Sequence, residues 1–157
     1  MRGWAAALVL LAGCSQGTAP SAVPEGAALE QAAIARGVVR DPAVVQPVGL
    51  YAREGDRLCV SAERIGVFVD YGEGIGCSAR GTYARTRGRM RVDFGKDCTF
   101  DATFDGDGVR FPGSLPTGCE AACRGRASLS GLQFDRLSES ASEAAALRDP
   151  AGRGLCE

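Results

Sequence analysis

Six cysteines spread between Cys59 and Cys156, with a seventh at Cys14, carry the most versatile chemistry in this chain, and no histidine accompanies them. Without an imidazole there is no side chain that ordinarily titrates near neutral pH, so Ser-His-Asp and Cys-His nucleophiles and His-ligated metals are excluded. A thiolate zinc site finds only one close pair, Cys119 and Cys123, where a tetrahedral shell needs four ligands. Catalytic dithiols favour a C-x-x-C spacing in a surrounding that stabilises thiolate. Cys119-Glu-Ala-Ala-Cys123 has a longer spacing and an acidic neighbour. Structural bracing is the remaining use, and neither a metal nor a cofactor is called for. The carboxylates worth testing are Asp101, Asp105 and Asp107, with Asp70 and Glu73 elsewhere. A glycan hydrolase built on Asp101 and Asp105 would need the two carboxyls about 5–10 Å apart across a cleft. Phe104-Asp-Gly-Asp-Gly108 lacks the ligand spacing and distant glutamate of a calcium loop and reads as a hairpin turn. Tyr71-Gly-Glu-Gly-Ile-Gly76 lacks the long buried strand and following helix of a phosphate loop, and reads as a strand connection.

Cys14 closes the apolar run Trp4–Gly13, which follows a positive charge at Arg2. The run has the length of an export signal and falls well short of the roughly 20 residues of a transmembrane helix. Leu11-Ala12-Gly13-Cys14 resembles the lipobox of bacterial lipoproteins. The resemblance implies cleavage after Gly13, a diacylglycerol thioether on Cys14 and acylation of the new amino terminus, which together make a stable membrane anchor. In that family an aspartate after the lipidated cysteine favours inner-membrane retention. Ser15 therefore points to the outer membrane, facing the periplasm or the cell surface. Such a compartment is oxidising, so the remaining cysteines, Cys59, Cys77, Cys98, Cys119, Cys123 and Cys156, are expected to form three disulfides, for which about 15 pairings exist.

These features need one domain to hold them. Removing residues 1–13 leaves 144 residues (157 − 13), and the net charge of −1 becomes about −2 without Arg2. Cations and anions are interspersed, leaving no basic footprint for nucleic acid. Residues 14–26 read as a lipidated flexible tether, and residues 27–157 as a single disulfide-braced domain. Helical spacing predicts a short helix over 27–37 that packs on the domain, and Ser140-Ala-Ser-Glu143 matches a capping box opening a second helix at about 140–148. Between them the period is two. Met90, Val92 and Phe94 alternate with charged residues, as do Cys98, Phe100, Ala102 and Phe104, then Val109 and Phe111. With further runs at 48–53, 57–61, 64–71, 76–85 and 126–137, about eight short strands form an up-and-down antiparallel meander. The fold is mainly β, closing into a small barrel or curled sheet to protect its edges. The alternation slips near Ser130-Gly131, where a bulge would restore the inward face.

In such a meander Cys77 and Cys98 begin strands at the same end of the sheet. Two strand spacings, about 9.6 Å, exceed the roughly 4.4–6.8 Å that a disulfide spans, so that pair needs local curling. Cys119 and Cys123 lie within reach of one another in a turn or helix, and Cys59 then pairs with Cys156, closing the domain's two ends. Size, anchoring, alternation and bracing are loosely similar to the small β-barrel lipoproteins of the lysozyme-inhibitor and lipocalin-like kinds, from which no contact residue carries over. The expectation is a non-catalytic binding protein anchored in the envelope, contacting an envelope protein or a small apolar ligand. Tyr71, Glu73 and Tyr51 are the candidate surface, and small inward residues at Ala79, Gly81 and Ala102 leave room for an interior cavity. The alternatives are a carboxylate-dependent hydrolase of envelope glycan and a structural component without a discrete ligand.

Overall fold

The computed structural model describes residues 25–86 and 88–157; the lipobox and most of the tether lie outside them. Nine strands follow a helix, α1 (Glu25–Ala35): β1 (Gly49–Arg53), β2 (Asp56–Val60), β3 (Arg64–Asp70), β4 (Gly76–Thr86), β5 (Arg89–Asp93), β6 (Thr99–Phe104), β7 (Gly108–Arg110), β8 (Cys123–Arg124) and β9 (Gln133–Ser138). A 3-10 helix at Thr117–Ala122 precedes β8, and α2 (Ala141–Ala146) follows β9. Each sequential pair from β1 to β7 is antiparallel, β7 pairs with β9, and β9 returns to β1. Eight strands thus close a barrel, with β8 an extra strand on β4.

Alternation determines the inner face. Along the wall, Tyr51 opposes Leu58, Val67 opposes Ala79, and Val92 opposes Phe100. All six are buried, and Met90, Phe104, Val109 and Phe134 fill the same interior. The barrel is a solid core, each large apolar side chain contributing roughly 1.5–3 kcal/mol by leaving water. Ala79 and Ala102 do face inward, within the same packed cluster of buried side chains. β4 is long because it serves two partners: 76–82 pair with β3 and 82–86 with β5. Gly81 marks the change, since a Cβ there would fall 1.9 Å from the Asp93 carbonyl oxygen.

One end of the barrel is closed by the chain that enters β1. Arg136 points inward opposite Tyr51, donates to the carbonyls of Gln46 (2.9 Å) and Val48 (3.4 Å), and lies over the Tyr51 and Phe104 rings. Arg85 donates to the Pro42 carbonyl, and the Tyr51 hydroxyl to that of Pro47 at 2.5 Å. Each contact satisfies a backbone acceptor of a segment that has no sheet partner. The outside of β1–β3 is covered instead by α2 and the C-terminal tail, where Leu155 packs with Leu50, Phe68 and Ala144. Gly66 lets that tail approach, because a Cβ would meet the Leu155 side chain at 2.6 Å.

Several sequence expectations change. Cys59 pairs with Cys156 as read from the sequence, but the others pair as Cys77–Cys123 and Cys98–Cys119. In a 3-10 helix of about three residues per turn, a four-residue step turns a side chain well away from its starting direction. Cys119 consequently faces Cys98, while Cys123 starts a strand whose partner is Cys77. The expected strand 126–137 is only Gln133–Ser138. Ser130-Gly131 is a turn with Gly131 at φ +70°, donating to the Pro112 carbonyl, rather than a bulge. The irregular register falls between Leu50 and Tyr51 against β9. Leu29 of α1 is 73% exposed, since the helix's apolar residues surround its axis instead of forming one stripe to bury.

Candidate functional site

The β3–β4 connection builds one lip of a groove on the outer wall. Gly72, Glu73 and Gly74 all take positive φ (80°, 52° and 75°), a left-handed turn that glycine on either side makes accessible. Its closure is local: the Tyr71 amide donates to the Ile75 carbonyl, the Ile75 amide to that of Gly72, and the Gly72 amide to the Asp70 carboxylate, each at 2.9 Å. The floor is the start of β4, Gly76–Ser78. Ala121–Arg124, which adjoins the lip where Arg124 pairs with Gly76, and the loop Asp149–Arg153 complete the lining of a space of about 450 Å³. The Cys77–Cys123 bond ties one wall to the floor, and Cys59–Cys156 pins the tail that carries the other.

Asp149 organises that second wall. Its side chain is 1% exposed; one oxygen accepts the backbone amides of Ala151 and Arg153, and the other accepts the Ser78 hydroxyl and the Arg153 guanidinium at 2.6 Å. Burial works to raise its pKa. The Arg153 side-chain and backbone hydrogen bonds, the Ser78 hydroxyl and the Arg153 charge outweigh it and hold the carboxyl at about 2. An unfolded aspartate titrates near 3.8, so the folded state gains from this group above about pH 4 and loses the gain as pH falls towards 2. Asp149→Asn is expected to cost about 1–3 kcal/mol at neutral pH, with the gap to the unmodified protein closing between pH 4 and 2 in denaturant titrations. A gap independent of pH would contradict this assignment.

Glu73 lines the groove, and Tyr71, 51% exposed, stands beside it in the lip. Tyr51 does not belong to any surface: it is fully buried inside the barrel, and burial raises its phenol pKa far above the usual range. Its place in an alternating strand allowed either face, and the Arg136 guanidinium and Pro47 carbonyl supply the polar contacts that let it turn inward. Asp101 lies outward on β6, paired with Arg91 at 3.4 Å. Asp105 accepts the Asp107 and Gly108 amides of its own turn, at 3.1 and 2.7 Å, confirming the hairpin reading. Neither is among the residues that line the groove. Among the described residues, no cluster of three or more Cys, Asp or Glu could hold a metal ion.

A second depression of about 480 Å³ lies at the closed end. Arg40 pairs there with Asp107 (3.2 Å) and with Glu139, and Arg136 also reaches Glu139 (3.4 Å). Hydrogen bonding with Arg40 holds the Glu139 carboxyl below its ordinary pKa and raises that of Arg40. In the groove, Glu73 on the lip and Arg124 of β8 form no ion pair among the described residues, whereas Arg153 is engaged by Asp149. Sequence reasoning missed Arg124, Asp149 and Arg153. Asp149-Pro-Ala-Gly-Arg153 does carry turn chemistry, but nothing local shows that the carboxylate is buried. No family model, curated protein or solved structure matches this chain.

Proposed function

We propose that this is a lipid-anchored protein of the bacterial cell envelope that binds a partner without catalysis, using the groove between the β3–β4 lip and the Asp149–Arg153 loop. The observation that carries the reading is the contrast between a barrel filled with side chains and an outer groove whose two walls are fixed by disulfides. Fixed walls reduce the ordering cost of binding. Glu73 and Arg124, which form no ion pair among the described residues, both line the groove, which favours a polar, peptide-like surface of an envelope protein over a small apolar molecule.

Three disulfides in one small domain accord with an oxidising compartment, and Leu11-Ala12-Gly13-Cys14 accords with lipidation at Cys14 and residence at the outer membrane. Expression of the full chain in a bacterial host tests the anchor. Intact mass is expected to correspond to a chain starting at Cys14 with added acyl chains, in the membrane fraction, and Cys14→Ser is expected to shift the protein to the soluble fraction. A mature chain that keeps its leader, or Cys14→Ser remaining at the membrane, overturns the anchor. A photo-crosslinking residue at Glu73 is expected to yield a discrete adduct with an envelope protein that the same residue at Asp101 does not. Equal labelling from both positions overturns the groove as the contact site.

A further inference from the structure

We propose that the Cys77–Cys123 disulfide is a thiol-exchange site, reached through the groove and reacting with a thiolate borne by a small molecule or a peptide chain. The proposal rests on the groove being open to solutes, and not on lipidation or on a bound partner. Cys59 and Cys156 are 0% and 4% exposed, and Cys98 and Cys119 are 2% and 4% exposed. Cys77 is also buried, at 4%, but Cys123 is only half-buried, and both residues of this pair line the groove. About 450 Å³ accommodates an incoming thiol together with its neighbouring atoms. A smaller depression of about 60 Å³ is bordered by both Cys119 and Cys123, and Cys119 is only 4% exposed there.

Charge favours the same bond. Thiolate is the attacking species, and cationic surroundings raise its local concentration. Arg124 follows Cys123 directly, is exposed and has no ion-pair partner among the described residues, whereas Arg153 across the groove is engaged by Asp149 at 2.6 Å. The thiolate attacks Cys123 Sγ, on the more exposed residue of the pair. The Cys77–Cys123 bond breaks with its electron pair leaving on Cys77 Sγ, which takes a proton from water in the groove. A second thiolate then attacks the attached sulfur, forming an external disulfide and releasing Cys123 as thiolate. Two external thiols are oxidised and the protein pair is reduced. Only two register pairs, Gly76 with Arg124 and Cys77 with Cys123, join β8 to β4, so reduction also frees one groove wall.

The test uses the full oxidised chain and two thiols, 2-mercaptoethanol and a short peptide carrying one cysteine, with alkylation and peptide mapping over time. The adduct is expected on Cys123 with alkylated Cys77, appearing at least about tenfold faster than opening of either other disulfide, as exposure and access dictate. Reaction with the peptide as well as the small thiol assigns a protein-borne source, and reaction with 2-mercaptoethanol alone assigns a small-molecule one. Arg124→Glu is expected to slow the Cys123 reaction about threefold with neutral 2-mercaptoethanol and to leave the other two bonds unaffected. Opening of all three bonds together, earlier opening of Cys59–Cys156 or Cys98–Cys119, an adduct on Cys77, or an unchanged rate in Arg124→Glu overturns the proposal.

Discussion

Replacing Cys59 and Cys156 together by alanine is expected to lower unfolding stability by about 4–5 kcal/mol, the loop-closure entropy of a cross-link between residues 97 apart. The bond joins β2, in the first hairpin, to the tail after α2, so the unfolded chain regains the freedom of a 97-residue separation when it is lost. Folded-state packing adds to this. Cys59, Ala144, Leu155 and Cys156 form a small cluster outside the barrel, with Leu50, Phe68 and Leu147 against it, and the tail that completes it also carries Asp149 and Arg153. Guanidinium titration of the oxidised variant measures the loss. A drop below about 1 kcal/mol would mean that the tail holds its place by packing alone and that the cross-link does little for either state.

Phe111→Ala is the second large effect, expected at about 3–5 kcal/mol. Phe111 is 1% exposed and sits at the centre of an edge-to-face cluster, its ring centroid 4.9 Å from Phe100, 5.8 Å from Phe134 and 6.4 Å from Phe94. Truncation leaves a void between three rings carried by separate parts of the wall, and each edge-to-face pair is worth about 0.5–1.5 kcal/mol beyond burial. The site resists collapse because the backbone is held on both sides. Phe111 donates its amide to the Leu132 carbonyl at 2.8 Å, and the nearby 3-10 helix is tied to the barrel by Cys98–Cys119. Phe94→Ala, at a half-buried position, is expected to cost clearly less under the same titration. Equal losses for the two would show that the cluster is not centred on Phe111.

The β3–β4 lip was visible in the chain because its glycines and turn residues state their own conformation, and Glu73 was identified with it. The other walls were not. Arg124 reaches the groove because a 3-10 helix turns into a two-residue strand that finds an edge of β4, a pairing too short to leave a periodic signal. Asp149 reaches it because the tail crosses the outside of the barrel, some 70 residues along the chain from its partner Ser78.

The mainly β meander outside β8 and the two helices were legible in the sequence, since side-chain alternation, turn chemistry and caps act over a few residues, whereas Cys59–Cys156 was reached there as the remainder of two pairings that the structure replaces. Tertiary structure alone decided which way Tyr51 faces, which partners Cys77, Cys98, Cys119 and Cys123 take, and where the groove lies. Each of these depends on contacts between segments far apart in the chain, and the energy of a contact is not encoded in either segment until packing brings the two together.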